Sequence, residues 1–458
     1  MAQHDPTNLL PGAARCPGPS TADIIRSDGD NVPPPILEQS YQFLGDDDVS
    51  YDAYTSRDFA AREIDQMWPR VWQFACRDEH IPKPRDSFVH DLGPYSVLIV
   101  RQADMSVKAF INSCKHRGMQ LQPAGARESL KVIRCPFHGW TWKTDGSLMA
   151  IPCAWDFPHA NKTDFALDPV RVESWGGFIF VNLDGEAPPL ATWLEVMPDH
   201  FAHWPMERRH IRLHIRKRVP ANWKLSLEAF LEAYHVMATH PQGLPTAGDA
   251  NCQYDIFGDN VSRFIHTVGY PSPHLTGDRS QAKILAGLGG GQLGLSLDER
   301  NSARAVFADF RRATLGLQIG VDLSSYSTSE MLDSIEYYCF PNLVIFPGIG
   351  FNMLYRFKPD GDRVDSSYFE LFLMNLTPDG EQAPPAPEPV ALDYHESFTS
   401  VDGMDAMLGH IYNQDTDNLE RLSKGVKASR KTGQTLGNYQ EIRIRRMRQT
   451  LARYLGPT

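Results

Sequence analysis

Cys114, His116, Cys135 and His138 are the residues of this chain whose types and spacing most directly imply chemistry. They stand as Cys-x-His, eighteen residues, then Cys-x-x-His, in the text INSCKHRGMQL…IRCPFHGWTW. The 458-residue chain has only 7 cysteines and 16 histidines. Random placement would produce this arrangement roughly 10⁻⁴ times per chain, and about tenfold more often with neighbouring spacings admitted. A structural zinc site is the plainest alternative, but zinc knuckles usually place paired ligands two to four residues apart. One residue between Cys114 and His116 is tight for two ligands on a single tetrahedral ion. A mixed Cys/His pair in each of two loops suits a two-iron cluster better, with both thiolates on one iron and both imidazoles on the other, as in a Rieske centre. Pro136, Gly118 and Gly139 permit sharp turns that aim N–H groups at sulfur, and Trp140 and Trp142 can exclude water. Cys16, Cys76, Cys153, Cys252 and Cys339 have no such partners and read as ordinary thiols.

A second group lies about a hundred residues on. The stretch NWKLSLEAFLEAYHVMA (222–238) has a helical pattern and carries Glu228, Glu232, Tyr234 and His235; His240 and Pro241 follow. On one helix His235 and His240 would lie about 140° apart and could not share a metal. Pro241 resolves this by pushing His240 out of the α region, so the helix is expected to end before it. A lone histidine pair is more often structural. Here Glu232 sits about 60° round the helix from His235, placed to accept a hydrogen bond from its ring. A carboxylate from elsewhere would complete the two-histidine, one-carboxylate set of mononuclear non-haem Fe(II) oxygenases. Asp415 is the candidate. In HIYNQDTDNLERLSKGV (410–426), Ile411, Leu419, Leu422 and Val426 make an apolar stripe that includes Asp415, whereas Asp417 lies about 200° away and is expected to face water. A buried carboxylate needs a partner. The bland alternative for Asp415 is a helix N-cap.

These residues need elements to hold them. From 71 to 183 short apolar runs (SVLIV, VKAFIN, KVIRC, GGFIFVNL) alternate with Gly, Pro and Asp turns and predict a small all-β unit. Residues 57–68 read as a helix. After the linker-like GEAPP (185–189), a strand pattern at 210–219, the helix 222–238, three strand-like runs over 334–376 and helix over most of 404–455 predict an antiparallel sheet with helices, α+β. GLGGGQLG (287–294) lacks the Lys-Ser/Thr of a phosphate loop and reads as a flexible loop. Residues 1–45, rich in Pro, Gly and Asp, read as a flexible arm, or as one that orders only on a neighbouring subunit. With 42% hydrophobic and 22% charged residues the chain has the makings of an ordinary core. A net charge of −11 argues against nucleic acid or an anionic membrane as partner. No apolar run long enough to span a bilayer and no signal-peptide pattern are present, so a cytoplasmic protein is expected.

Together, the Cys-x-His…Cys-x-x-His motif and NWK…E-x-x-H-x-x-x-x-H resemble the large (α) subunit of Rieske non-haem iron ring-hydroxylating oxygenases, over about residues 46–458. Beyond the arm (1–45) that composition suggests, the resemblance implies an all-β Rieske domain (46–185, with its leading helix) and a helix-grip, START-like catalytic domain (186–458). It implies that Cys114, His116, Cys135 and His138 bind a [2Fe-2S] cluster, that His235, His240 and Asp415 bind Fe(II), and that Glu232 links a cluster histidine to an iron histidine across a subunit boundary. Asn222, Trp223 and Lys224 match the helix-opening motif. The sequence departs from the family pattern in a slightly longer spacer before Cys135, in Glu for Asp at 232, and in Ala229 where Asn is common. The implied activity is that of a terminal oxygenase component. It would use O₂ and electrons from a ferredoxin or flavin reductase, with NAD(P)H acting only through the reductase. A small hydrophobic substrate, in the first place an aromatic one, would be dihydroxylated, monohydroxylated or dealkylated. A homotrimer, with or without a small β subunit, is the implied assembly. The rival readings are a non-catalytic Rieske electron carrier and a structural zinc protein.

Overall fold

The computed structural model describes residues 9–456. The expected all-β unit is present as a seven-stranded sheet whose spatial order runs Gln73–Arg77, Phe178–Asn182, Pro169–Trp175, Val107–Ile111, Tyr95–Arg101, Asp86–Leu92, Arg127–Ser129. All of its pairings are antiparallel. A second, three-stranded sheet (Ile133–Arg134, Thr141–Trp142, Leu148–Ala150) stands beside it. Trp140 and Trp142 are buried between them with Val89, Leu98, Phe110, Cys114 and Cys135. This packing fixes the two motif loops against each other.

The α+β unit is built on an eight-stranded sheet. Its order is Gln253–Ile256, Val261–His266, Ser334–Cys339, Leu343–Ile345, Met353–Asp360, Arg363–Leu376, Arg209–Val219, Val390–Leu392. Only the edge strand Val390–Leu392 runs parallel to its neighbour. The apolar run 343–357, expected as one strand, is two strands joined by a turn at 346–352. A Cβ on Gly350 would lie 2.6 Å from the Met331 carbonyl oxygen, so the turn approaches too closely for a side chain. The sheet wraps the helix Ala406–Ala428, whose Tyr412, Leu419 and Val426 enter the main core with Phe357, Phe369 and Leu371.

Several sequence expectations are corrected. The helix over 222–238 is not continuous. Trp223–Glu228 is helical, 229–235 is a non-helical turn, and Val236–Thr239 is a single further helical turn. The helix over 404–455 is likewise two, Ala406–Ala428 and Ile442–Leu455. Between them Gly433 pairs with Ser50 so closely that a Cβ would meet the Val49 oxygen at 2.7 Å. Leu422 is 46% exposed and Ile411 only half-buried, so neither belongs to the buried stripe, which is Gly409, Tyr412, Asp415, Thr416, Leu419, Ser423 and Val426.

Residues 9–45 do not have the form of a flexible arm, and residues 1–8 of that expectation lie outside the described residues. The arm forms a helix, Thr21–Ser27, opened by a Ser20–Asp23 capping box, and buries Ala22, Ile24, Ile25 and Ile36. Asp28 pairs with the buried Arg304 at 2.7 Å. Pro35 and Glu38 give their carbonyls to Arg263. Apolar residues at this density, spaced as on a helix face, fold onto the sheet edge even in a proline-rich context. The expected helix over 57–68 is present as α-helix Arg57–Arg62 running into π-helix Glu63–Met67; it and the short helix Asp52–Thr55 before it attach to the α+β unit, for Glu63 pairs with the fully buried Lys224 at 2.7 Å and Tyr54 donates to Glu228 at 2.8 Å.

Candidate metal centres

The two β loops are built alike. Cys114 N donates to Met119 O at 2.8 Å, and Gly118 N to Cys114 O at 2.9 Å. In the second loop Cys135 N donates to Trp140 O at 2.8 Å, and Gly139 N to Cys135 O at 3.1 Å. Each glycine takes the left-handed backbone region, φ 78° and 74°, which a side chain disfavours. Each loop therefore turns its cysteine inward and its histidine two or three residues later along the rim. Cys114 and Cys135 are buried. Burial first, and then the adjoining Cys135 thiol, pushes the Cys114 thiol up. The His116 and His138 rings lie 4.7 Å apart, and His116 stacks on Trp140 at 5.1 Å and 3°. His116 Nδ1 is buried with no hydrogen-bond partner, and His138 is exposed.

Two thiols, an orphaned imidazole nitrogen and a second imidazole at the surface make a donor set that fits a cluster with its histidine edge outward. Among the described residues, three or more metal-binding side chains approach within 4.8 Å of one another only at His235, His240 and Asp415.

That second group meets in the α+β unit. Asp415 sits in mid-helix, buried, ten residues past the true N-cap Asp405, so the N-cap reading fails. Asp417 faces outward. His240 ends the short helical turn at φ −121°, ψ 54°, outside the α region as Pro241 requires. Asp415 Oδ1 lies 2.8 Å from His240 Nε2 and 3.6 Å from His235 Nε2. All three side chains thus direct one ligand atom at a common point.

The far ring nitrogens are held from behind. His235 Nδ1 lies 2.7 Å from Glu232 Oε1, and the other carboxylate oxygen accepts from the His235 backbone N–H at 3.0 Å. His240 Nδ1 lies 2.9 Å from Gln414 Oε1. An acceptor on each Nδ1 places the proton there and leaves Nε2 free for a metal. Burial would lower the His235 imidazole, but the Glu232 carboxylate outweighs it and raises it to about 9.

The sequence reading passed over Gln414, whose role depends on a fold that sets 240 beside 414. It passed over His266 as well. Its Nε2 is buried without a partner, and burial lowers the ring to about 4. The Asp249 and Asp333 carboxylates pull the other way without overcoming burial.

Comparison with known proteins adds an independent observation. Residues 71–161 match the Rieske [2Fe-2S] domain, and residues 200–457 match the ring hydroxylating alpha subunit (catalytic domain), more than half of the chain. The chain belongs to the ring-hydroxylating alpha subunit family. Within it, one stretch of 198 residues is 34% identical to the chlorobenzene dioxygenase subunit alpha of Cupriavidus sp. (strain PS12), covering 42% of this chain and 44% of that one. Another of 190 residues is 29% identical to the carnitine monooxygenase oxygenase subunit of Acinetobacter pittii, covering 41% and 51%. The matched stretches thus span about half, or less, of these relatives.

Among solved structures, a quaternary ammonium Rieske monooxygenase superposes with a TM-score of 0.62 at 17% identity, over 89% of this chain and 95% of that one. Naphthalene 1,2-dioxygenase from Rhodococcus sp. superposes with 0.60 at 20%, over 90% and 95%. At these identities the likeness speaks for the fold, and it is the two-part fold expected. No helix among the described residues is long and apolar enough to cross a membrane.

Proposed function

We propose that this chain is the terminal oxygenase component of a multicomponent Rieske oxygenase. Cys114, His116, Cys135 and His138 would hold the cluster, and His235, His240 and Asp415 the iron. The single observation that carries the reading is the convergence of His235 Nε2, His240 Nε2 and an Asp415 oxygen on one point, in the same chain as the two cysteine–histidine loops. A pure electron carrier has no use for that convergence. When bound, the cluster supplies one electron at a time, and a three-donor Fe(II) leaves open positions for O₂.

The protein's own part is to orient and to insulate. Glu232 and Gln414 fix the two imidazoles through their Nδ1 atoms. Tyr355 and Tyr412, hydrogen-bonded hydroxyl to hydroxyl at 2.7 Å, close the core one helical turn before Asp415. His266 offers a neutral, unpartnered nitrogen near the ligands.

Glu232 carries the electron path in this reading, joining His235 to a cluster histidine of a neighbouring copy. His138 is exposed, and exposed Phe137 (59%), Trp155 (81%), Met119 and Met149 surround the cluster loops. So large an apolar rim fits a face covered in a ring-shaped assembly, a homotrimer in the simplest case. Ferredoxin or a flavin reductase would deliver the electrons.

The substrate in this reading is small and hydrophobic, in the first place an aromatic one. A quaternary ammonium substrate is the second reading, favoured by the match to a carnitine monooxygenase subunit alongside the dioxygenases. The test is product analysis with a surrogate reductase and a panel that includes benzene, naphthalene, carnitine and glycine betaine. Oxygenated product from any of them, lost in Asp415→Ala, bears the reading out. Turnover that survives Asp415→Ala would overturn it.

A further inference from the structure

Between Glu228 and Val236 the chain is non-helical, and this segment carries both Glu232 and His235. Side chains from distant elements hold the peptide groups on either side of Glu232. The Leu231 carbonyl accepts from Arg443 Nη1 at 3.1 Å. The Ala233 N–H donates to the Tyr254 hydroxyl at 3.0 Å. Both holders are 0% exposed.

Arg443 sits at the start of the helix Ile442–Leu455. It also pairs with Glu336 at 2.8 Å and donates from Nε to Ser262 Oγ at 3.2 Å. It therefore ties that helix, two sheet strands and the 229–235 segment into one assembly. A buried ion pair is seldom more stabilising than apolar residues of the same volume. Arg443 and Glu336 call for a use in geometry, and the Leu231 carbonyl is where that geometry leads. An α-helix would have satisfied these peptide groups itself. Here helix is given up, and two imported side chains replace its hydrogen bonds.

We propose that Arg443 and Tyr254 are positioning residues for electron delivery. By clamping Leu231 and Ala233, they hold the Glu232 carboxylate on His235, without touching metal, cluster or substrate. The proposal rests on the reading of Glu232 given above. Misplacing a reacting group by about 1 Å can cost on the order of a hundredfold in rate, so a clamp on both flanks of Glu232 has a kinetic consequence.

The test uses Tyr254→Phe, which keeps the ring packing and removes the hydroxyl that accepts from Ala233 N–H, and Arg443→Lys, which keeps the charge opposite Glu336. In the purified holoprotein, hydrogen–deuterium exchange over 229–235 should rise about tenfold in Tyr254→Phe, with other segments unchanged. Unchanged exchange in that segment would overturn the proposal.

In single turnover, reoxidation of the reduced cluster should slow about tenfold in Tyr254→Phe at full iron content and with an unaltered Rieske EPR signal. Arg443→Lys should slow it less. Glu232→Gln combined with Tyr254→Phe should be no slower than Glu232→Gln alone. Additive slowing would show that the hydroxyl acts elsewhere, and would overturn the proposal. Full-rate reoxidation in Glu232→Gln would remove Glu232 from the path, a failure of the underlying reading and of the clamp with it. A slow Glu232→Gln beside a full-rate Tyr254→Phe would overturn the clamp alone.

Discussion

Asp415 and Asp417 share a helix and a chemistry, and the fold gives them opposite environments. Asp415 is 7% exposed with its Oδ1 between two imidazoles, while Asp417 faces solvent. Asp415→Ala should lose the mononuclear iron and all turnover while keeping the Rieske spectrum. Asp417→Ala should keep both metals and stay within about 0.5 kcal/mol of the parent in stability. Iron analysis with EPR on the two variants checks this, and the reverse pattern would move the ligand to Asp417.

The same site predicts a pH dependence. A metal needs His235 neutral, and Glu232 raises that imidazole to about 9, above its ordinary value. Protons therefore compete with iron below pH 9, and apparent iron affinity should rise roughly tenfold per pH unit from about 7 to 9, with about one proton released per iron. Titration of iron-depleted protein at several pH values measures it. In Glu232→Gln the larger of the two carboxylate influences on His235 is lost and only that of Asp415 remains, so the slope should move to lower pH.

The residues that converge here stand out in the sequence because potential ligands announce themselves by type and spacing. Gln414 and His266 do not, since nothing in a glutamine or a single histidine marks it until the fold supplies its neighbour.

Among the elements, strands were read well and long helices poorly. Short apolar runs between Gly and Pro turns carry their own boundaries. The stretch 222–238 has helical periodicity throughout, yet the helix stops after Glu228, and beyond it the Leu231 carbonyl and Ala233 N–H bond to Arg443 and Tyr254 instead. The stripe on Ala406–Ala428 was read with Leu422 inside it, because periodicity alone could not tell that Tyr412, Thr416 and Ser423 pack inward instead.

Asn222 ties both levels together. Its side chain accepts from Lys224 N at 3.1 Å, capping the helix Trp223–Glu228, and donates to Val364 O at 2.9 Å. Asn222→Ala should cost about 1–3 kcal/mol from the lost cap and hydrogen bond. It should leave the Rieske spectrum intact, as denaturant unfolding and visible absorption can show.

For the molecule as a whole, composition misleads most at the N-terminal segment. Composition pointed to disorder, but Ile24, Ile25 and Ile36 are buried, and Asp28 reaches Arg304. Removing residues 1–40 should therefore lower the melting temperature instead of leaving it unchanged. Burying each isoleucine contributes about 1.5–3 kcal/mol before the entropy of ordering the segment is subtracted. A truncated protein that melts with the full chain would show that the segment adds nothing.

The central claim is that one chain holds a two-iron cluster and a separate mononuclear iron, and metal and acid-labile sulfide analysis of the purified protein tests it most directly. The account predicts about three irons and two acid-labile sulfides per chain, falling to about two irons with sulfide unchanged in Asp415→Ala. Stoichiometric zinc without sulfide, or about two irons in both proteins, would contradict it.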